Sequence, residues 1–140
     1  MFQWPGDYPS FPEFEEDIKN DFLWVAVLND EIVGTVAQTT LYQDDDYKRG
    51  GCDVEIPAVV PHRIAVHPKA RGLGIGAQLM QLTEDLARDT YNFSVVRIDT
   101  HKDNRAMIHL IADKFKYQYM GEISLADKPG QVRNWYEKKI

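Results

Sequence analysis

The hydrophobic positions of this chain recur with two periods, and the switches between them mark its elements. Trp4-Pro5-Gly6-Asp7-Tyr8-Pro9 carries prolines and a glycine that forbid regular structure. Ser10-Phe11-Pro12-Glu13 then has capping-box spacing with a proline early in the first turn. Glu15, Glu16 and Asp17 suit the positive end of a helix dipole, so the pattern predicts a short helix from Phe11 to Asn20. Phe22 to Leu28 is aromatic and β-branched, and Asn29-Asp30-Glu31 separates it from a second such run, Ile32 to Thr40. These two runs predict a β-hairpin, with Gly34 marking a bulge or a close backbone approach in its second strand.

From Tyr42 to Pro57 the composition changes to Asp44-Asp45-Asp46, Lys48-Arg49 and Gly50-Gly51, which predicts a long loop. Ala58 to Val66 is the next strand, and Pro61 within it implies an edge position or a bulge. Ile75, Leu79, Leu82 and Leu86 fall at helical spacing over Ile75–Arg88, and Ser94 to Asp99 reads as a strand. Because strand, helix and strand follow in sequence, the strand at Ser94 should run parallel to that at Ala58, with a crevice at the strand ends. Asp103 or Asn104 can cap a second helix with apolar positions at Met107, Leu110, Ile111 and Phe115. Tyr117 to Ile123 and Val132 to Glu137 predict two last strands, joined by a turn around Lys128-Pro129-Gly130.

Between the Ala58 strand and the helix after it lies Arg71-Gly72-Leu73-Gly74-Ile75-Gly76. Clustered glycines cost conformational entropy unless the backbone must approach something closely. The first turn of a helix presents unpaired N–H groups and the positive end of the macrodipole, so an anion such as a phosphate is the expected visitor. Arg71 adds a cation at the rim.

Composition narrows the class. At 140 residues with 44% hydrophobic content, the chain has material for one compact domain spanning 1–140. A formal charge of −6 argues against nucleic acid as a partner and is compatible with a cationic small substrate. Cys52 is the single cysteine, which excludes an internal disulfide, and no cluster reads as a metal site. No apolar run approaches the roughly 20 residues that span a bilayer, so a soluble, cytoplasmic protein without a membrane partner is expected.

The stretch Val66-His67-Pro68-Lys69-Ala70-Arg71-Gly72-Leu73-Gly74-Ile75-Gly76 resembles the acetyl-CoA signature of the GNAT N-acetyltransferase superfamily, Arg/Gln-x-x-Gly-x-Gly/Ala, which Arg71, Gly74 and Gly76 match. The order of elements is similar from near residue 8 to the C-terminus. The resemblance implies an α/β fold whose mixed β-sheet, flanked by helices, splays between the strand ending at Val66 and the one ending at Asp99. It implies acetyl-CoA as cofactor, with its pantetheine arm in the gap along Ile64, Ala65 and Val66. The pyrophosphate would lie on the amides of Gly72, Leu73, Gly74, Ile75, Gly76 and Ala77, with Arg71 beside it, and Asn104 sits where the family often has a cofactor-bonding asparagine. The family usually begins with one more strand and a helix, for which the sequence ahead of Phe11 has no residues. Many members carry a glutamate on the strand before the signature, where this chain has His62-Arg63, and the frequent tyrosine of the last helix is replaced by Ile111 or a neighbour.

The implied reaction is transfer of an acetyl group by direct attack of a primary amine, on a small molecule or a peptide. Such an amine has a pKa near ~10.4 and must lose a proton first. His62 is the first candidate base, with Glu55 and Asp53 as alternatives acting through water. A backbone N–H at Ile64 or Ala65 can stabilise the oxyanion, and Tyr117 or Tyr119 can protonate the departing thiolate. The acidic run before the signature strand favours a cationic acceptor, and a homodimer is compatible with the sequence. Two other readings stay open. One is a catalytically inactive CoA-binding regulatory module. The other is a dinucleotide-dependent enzyme, since Gly72 to Ala77 also fits GxGxxG/A and Asp99 lies at a strand end where a ribose-binding acid is expected.

Overall fold

The computed structural model describes residues 10–40 and 44–140. The Trp4–Pro9 stretch and the start of the Tyr42–Pro57 segment lie outside them.

The first helix, α1 (Phe11–Lys19), starts where the capping box places it, the Glu13 carboxylate accepting from the Ser10 N–H at 2.8 Å. Strands β1 (Leu23–Leu28) and β2 (Glu31–Thr39) form the hairpin. Their two-residue turn needs left-handed backbone at both positions, and Asn29 (φ 51°) and Asp30 (φ 64°) supply it. The register slips next to Gly34, where Val33 is the extra residue. Strand β3 (Val60–Val66) pairs antiparallel with β2 and closes a three-stranded sheet ordered β1-β2-β3. Pro61 is accommodated because β3 is an edge, where a missing N–H breaks no ladder.

A 3₁₀ turn (Pro68–Ala70) leads to the glycines and then to α3 (Ile75–Asp85), whose last turns loosen into a π-helical stretch (Leu86–Thr90). Strand β4 (Val95–His101) follows, and β5 (Gln118–Ser124) and β6 (Val132–Lys139) complete a second antiparallel sheet ordered β4-β6-β5. The fold is thus a mixed α/β arrangement of two splayed sheets flanked by helices. Among the described residues the sheets meet at one parallel bridge. The Val59 N–H donates to the Val95 carbonyl at 3.2 Å, and the Arg97 N–H donates to the Val59 carbonyl at 3.0 Å. Past that point β3 and β4 part.

Each face of this fork has its own core. Val59, Met80, Val96, Ile98, Ile111 and Tyr117 pack beneath α3 and the second helical segment, while Tyr47, Val60, Ile123, Leu125 and Trp135 pack on the opposite face. That second core contains a correction to the sequence reading. Asp44 to Arg49 is a helix, α2, with acids in its first turn and bases in its last, as the helix dipole favours. Tyr47 anchors it, its ring set edge-on to Trp135 at 5.4 Å. Asp46 is buried, ion-paired with Arg49, and accepts from the Ala126 N–H at 3.2 Å. The acidic run is therefore partly a structural tie rather than a solvated loop. Among the described residues no helix is long and apolar enough to cross a membrane.

Candidate active site

Where β3 and β4 separate, an open cleft of about 760 Å³ runs from the β3 edge to the glycine turn. Ile64, Ala65 and Val66 form one wall, Arg71, Gly72, Gly74, Ile75, Gly76 and Ala77 the floor, and Asn104, Met107, His109, Leu110 and Lys114 the other wall. The sequence-predicted cofactor positions are thus brought together except for Leu73, which is exposed and outside the lining.

The floor needs its glycines. Gly72 (φ 79°) and Gly74 (φ 77°) are left-handed, a conformation L side chains adopt at a cost of roughly 1–2 kcal/mol. A Cβ at either would meet nothing within 4 Å, so the space they leave is open to a visitor. Gly74 is the N-cap of α3, and the first-turn N–H groups of that eleven-residue helix face the same space. Arg71 and Lys114, both exposed, put cations on the rim. Gly76 serves packing instead, since a Cβ there would stand 3.3 Å from Leu110 Cδ2.

The far wall is a helical segment that begins as α4 (Arg105–Ile108) and continues as a π-helical stretch (His109–Lys114). Asn104 is its N-cap, its side-chain oxygen accepting from the Met107 N–H at 3.3 Å. His109 and Lys114 were not anticipated from the sequence. For Lys114 the available signal was its spacing, seven residues from Met107 and four from Leu110, which puts the three on one helix surface; His109 is off that spacing and had no such signal.

Strand β3 bulges just before the cleft. Ala37 pairs with His62 but Thr35 with Ala65, so β3 carries one extra residue, and Arg63 takes φ 52°. This is a strained conformation for a long side chain, and it is held from outside the strand. The Arg63 guanidinium forms a two-pronged ion pair with Asp17 of α1, Nε lying 2.7 Å from Oδ2, with both side chains buried. Ile64 and Ala65, just past the bulge, line the cleft.

The catalytic candidates fare differently. His62 lies at the fork, but burial first and the Arg63 charge second push its pKa down to about 2. Arg63 Nη2 stands 3.2 Å from its Nε2. The expected base had an ordinary imidazole pKa; a group this reluctant to bind a proton is a poor base for an ammonium, which corrects that assignment. Glu55 is exposed in the turn ahead of β3, and its neighbour Asp53 gives its carbonyl to Arg97, at the closed end of the fork rather than the open one. Tyr117 is packed in the helix-side core beside Glu84, and burial followed by that carboxylate raises its phenol far above its ordinary value. Neither Glu55 nor Tyr117 lines the cleft.

The dinucleotide alternative is corrected by the same geometry. A 3₁₀ turn separates β3 from the glycines, and the sheets are antiparallel apart from one bridge, unlike a doubly wound parallel sheet.

Comparison with known proteins agrees with this geometry. The family model described as "Acetyltransferase (GNAT) family" matches residues 1–117. Among similar solved structures is a GNAT-family acetyltransferase from Streptococcus agalactiae, 25% identical, TM-score 0.74, matched over 95% of this chain and 73% of that one. Arabidopsis thaliana Naa50, in complex with the bisubstrate analogue CoA-Ac-MVNAL, is 18% identical, TM-score 0.70, over 98% of this chain and 85% of its own. The yncA protein of Salmonella typhimurium, with its cofactor acetyl-CoA, is 17% identical, TM-score 0.64, over 91% and 70%. No curated protein matches the sequence.

Proposed function

The chain belongs to the acetyltransferase (GNAT) family, whose cofactor is acetyl-CoA, and on that footing we propose that residues 1–140 act as one domain that transfers an acetyl group to a primary amine. The observation that carries the proposal is the cleft itself: a parted pair of strands ending on a left-handed glycine turn at the start of a helix.

Acetyl-CoA, when bound, supplies an activated acetyl thioester. The residues present fit such a group. Amides from Gly72 to Ala77 suit a pyrophosphate, because the space in front of Gly72 and Gly74 is open and the α3 dipole favours negative charge there. Arg71 and Lys114 suit further phosphate oxygens. Ile64, Ala65 and Val66 lie on a sheet edge, which offers backbone N–H and C=O groups to an amide-bearing arm. Asn104 orders the start of the opposite wall.

For the acceptor, the net charge of −6 supports a cationic amine, drawn as a small molecule or a peptide from an aqueous compartment such as the cytoplasm. Calorimetric titration with acetyl-CoA tests the cofactor assignment. Gly74→Val should abolish binding, because a side chain would fill the anion space and strain the left-handed backbone, while Arg71→Ala should weaken it more moderately. Unaltered affinity in Gly74→Val would move the site elsewhere.

A further inference from the structure

The cleft explains where the acetyl donor lies but not where the acceptor enters. The helix side of the fork is closed by Val59, Met80, Val96, Ile98 and Ile111. The other approach to the mouth of the fork is along the opposite face, where the outward side chains of β3 and β4 converge beside α2 and the Tyr47–Trp135 core. Counting three residues from the Val59–Val96 bridge along each parallel strand brings His62 of β3 level with Asp99 of β4. Both belong to the face that carries Val60 and Trp135. His62 follows Val60 by two positions, and Asp99 is the cross-strand partner of Trp135. Ile64 and Ala65, which line the cofactor cleft, begin two residues past His62. Asp99 thus stands level with His62, two residues short of the point on β3 where the cleft begins, buried beside the cleft rather than among its lining residues.

Its surroundings are specific. The Tyr47 hydroxyl of α2 donates to Asp99 Oδ1 at 2.8 Å, and Arg133 Nη1 of β6 lies 3.5 Å from Oδ2. Lys128, from the turn joining β5 and β6, is near enough to act on both Asp99 and His62. On its own strand, Arg97 is engaged by Glu137 and the Asp53 carbonyl, and His101 lies two residues on. We propose, resting on the acetyltransferase reading, that Asp99 is the catalytic residue that receives the acceptor amine and takes its proton, with Tyr47 as the positioning residue that orients the carboxylate. An ammonium N–H bond breaks, its electron pair stays on nitrogen, and the proton passes to Asp99. The overall exchange is R–NH3⁺ and acetyl-CoA to the N-acetyl amine, the CoA thiol and one proton, which Asp99 passes to solvent. Burial raises the Asp99 pKa above its ordinary value, against the opposing pull of Arg133 and Tyr47, which brings a carboxylate nearer the range useful to a base. His62, already neutral down to about pH 2, cannot supply that titration.

The test combines three measurements on the whole chain. Asp99→Asn should lower kcat/KM about 10²-fold or more at neutral pH and remove the acidic limb of the profile, with acetyl-CoA affinity by calorimetry unchanged within twofold. Tyr47→Phe keeps the ring that packs on Trp135 but removes a hydrogen bond to the charged carboxylate, so the acidic limb should move to higher pH. In the ligand-free protein, carbon-13 NMR of labelled aspartates should show one carboxyl titrating above the ordinary range, absent from Asp99→Asn. Unchanged profiles in both variants, or no such carboxyl, would overturn the assignment while leaving the acetyltransferase reading intact. No transfer by the wild type to any amine, despite acetyl-CoA binding, would overturn both.

Discussion

Gly34 of β2 lies against Ile75 in the first turn of α3: a Cβ at residue 34 would stand 2.9 Å from Ile75 Cγ2 and 3.4 Å from the Ala65 carbonyl oxygen. The contact ties the hairpin to one wall and the floor of the cleft, since Ala65 and Ile75 line them. The methyl of a β-branched residue near the backbone cannot easily swing away. Gly34→Ala should therefore push α3 outward, costing roughly 1–3 kcal/mol of stability and weakening acetyl-CoA binding. Urea unfolding and calorimetry of the same variant check the two effects together.

The Asp17–Arg63 pair holds the β3 bulge from α1. Removing one charge leaves the other buried without it, so Asp17→Asn should cost about 3–5 kcal/mol, whereas replacing both residues with leucine should cost less than the single change. Chemical denaturation of the single and double variants reads this directly. The double variant should remain folded yet transfer acetyl poorly, because nothing then holds residue 63 in its left-handed conformation.

His62 gives a pH signature in stability rather than in rate. Its folded pKa of about 2 lies far below the ordinary 6.5, so below pH 6.5 the unfolded chain binds a proton that the folded chain refuses. The stability associated with neutral His62 is complete above that pH and is lost as pH falls towards 2, at a limiting slope of about 1.4 kcal/mol per pH unit for one proton. His62→Gln should flatten the fall in unfolding free energy between pH 7 and pH 5. A slope equal to the wild type would mean that His62 is solvated.

The acidic run separates into two roles. Asp46→Asn should destabilise the fold, because it weakens the contacts to Arg49 and the Ala126 N–H. Asp45 is exposed and Asp44 half-buried, so changing those two together to Asn should leave stability within about 0.5 kcal/mol. If they attract a cationic acceptor, kcat/KM should fall and lose part of its salt dependence, since such attraction is screened over about 8 Å at physiological salt. Thermal melts and rates at two ionic strengths distinguish the roles.

What the sequence revealed and what it concealed follow from the range of the forces involved. The glycine turn and the hairpin are local: left-handed backbone at Gly72, Gly74, Asn29 and Asp30 demands residue types that show in the sequence itself. The edge position of β3 was legible for the same reason, through Pro61. Pro61 allowed for a bulge as well, but its place at Arg63 was not legible, because it is held by Asp17, 46 residues away. Helix α2 is six residues of mostly charged chain, and its reason to form is the burial of Tyr47 against Trp135. The base assigned to His62 rested on an ordinary imidazole, and only the folded surroundings, burial and the adjacent guanidinium, reveal how far its proton affinity falls. Asp99 drew notice as a strand-end acid, but its hydroxyl and guanidinium partners come from α2 and β6.

The most direct test of the central claim is to incubate the protein with acetyl-CoA and a panel of primary amines, cationic ones included, and to measure CoA release and acetylated product by mass spectrometry. We expect at least one amine to be acetylated in step with CoA release, and Gly74→Val to lose both signals. Acetyl-CoA binding with no product from any amine would contradict the account and leave a CoA-binding module in its place.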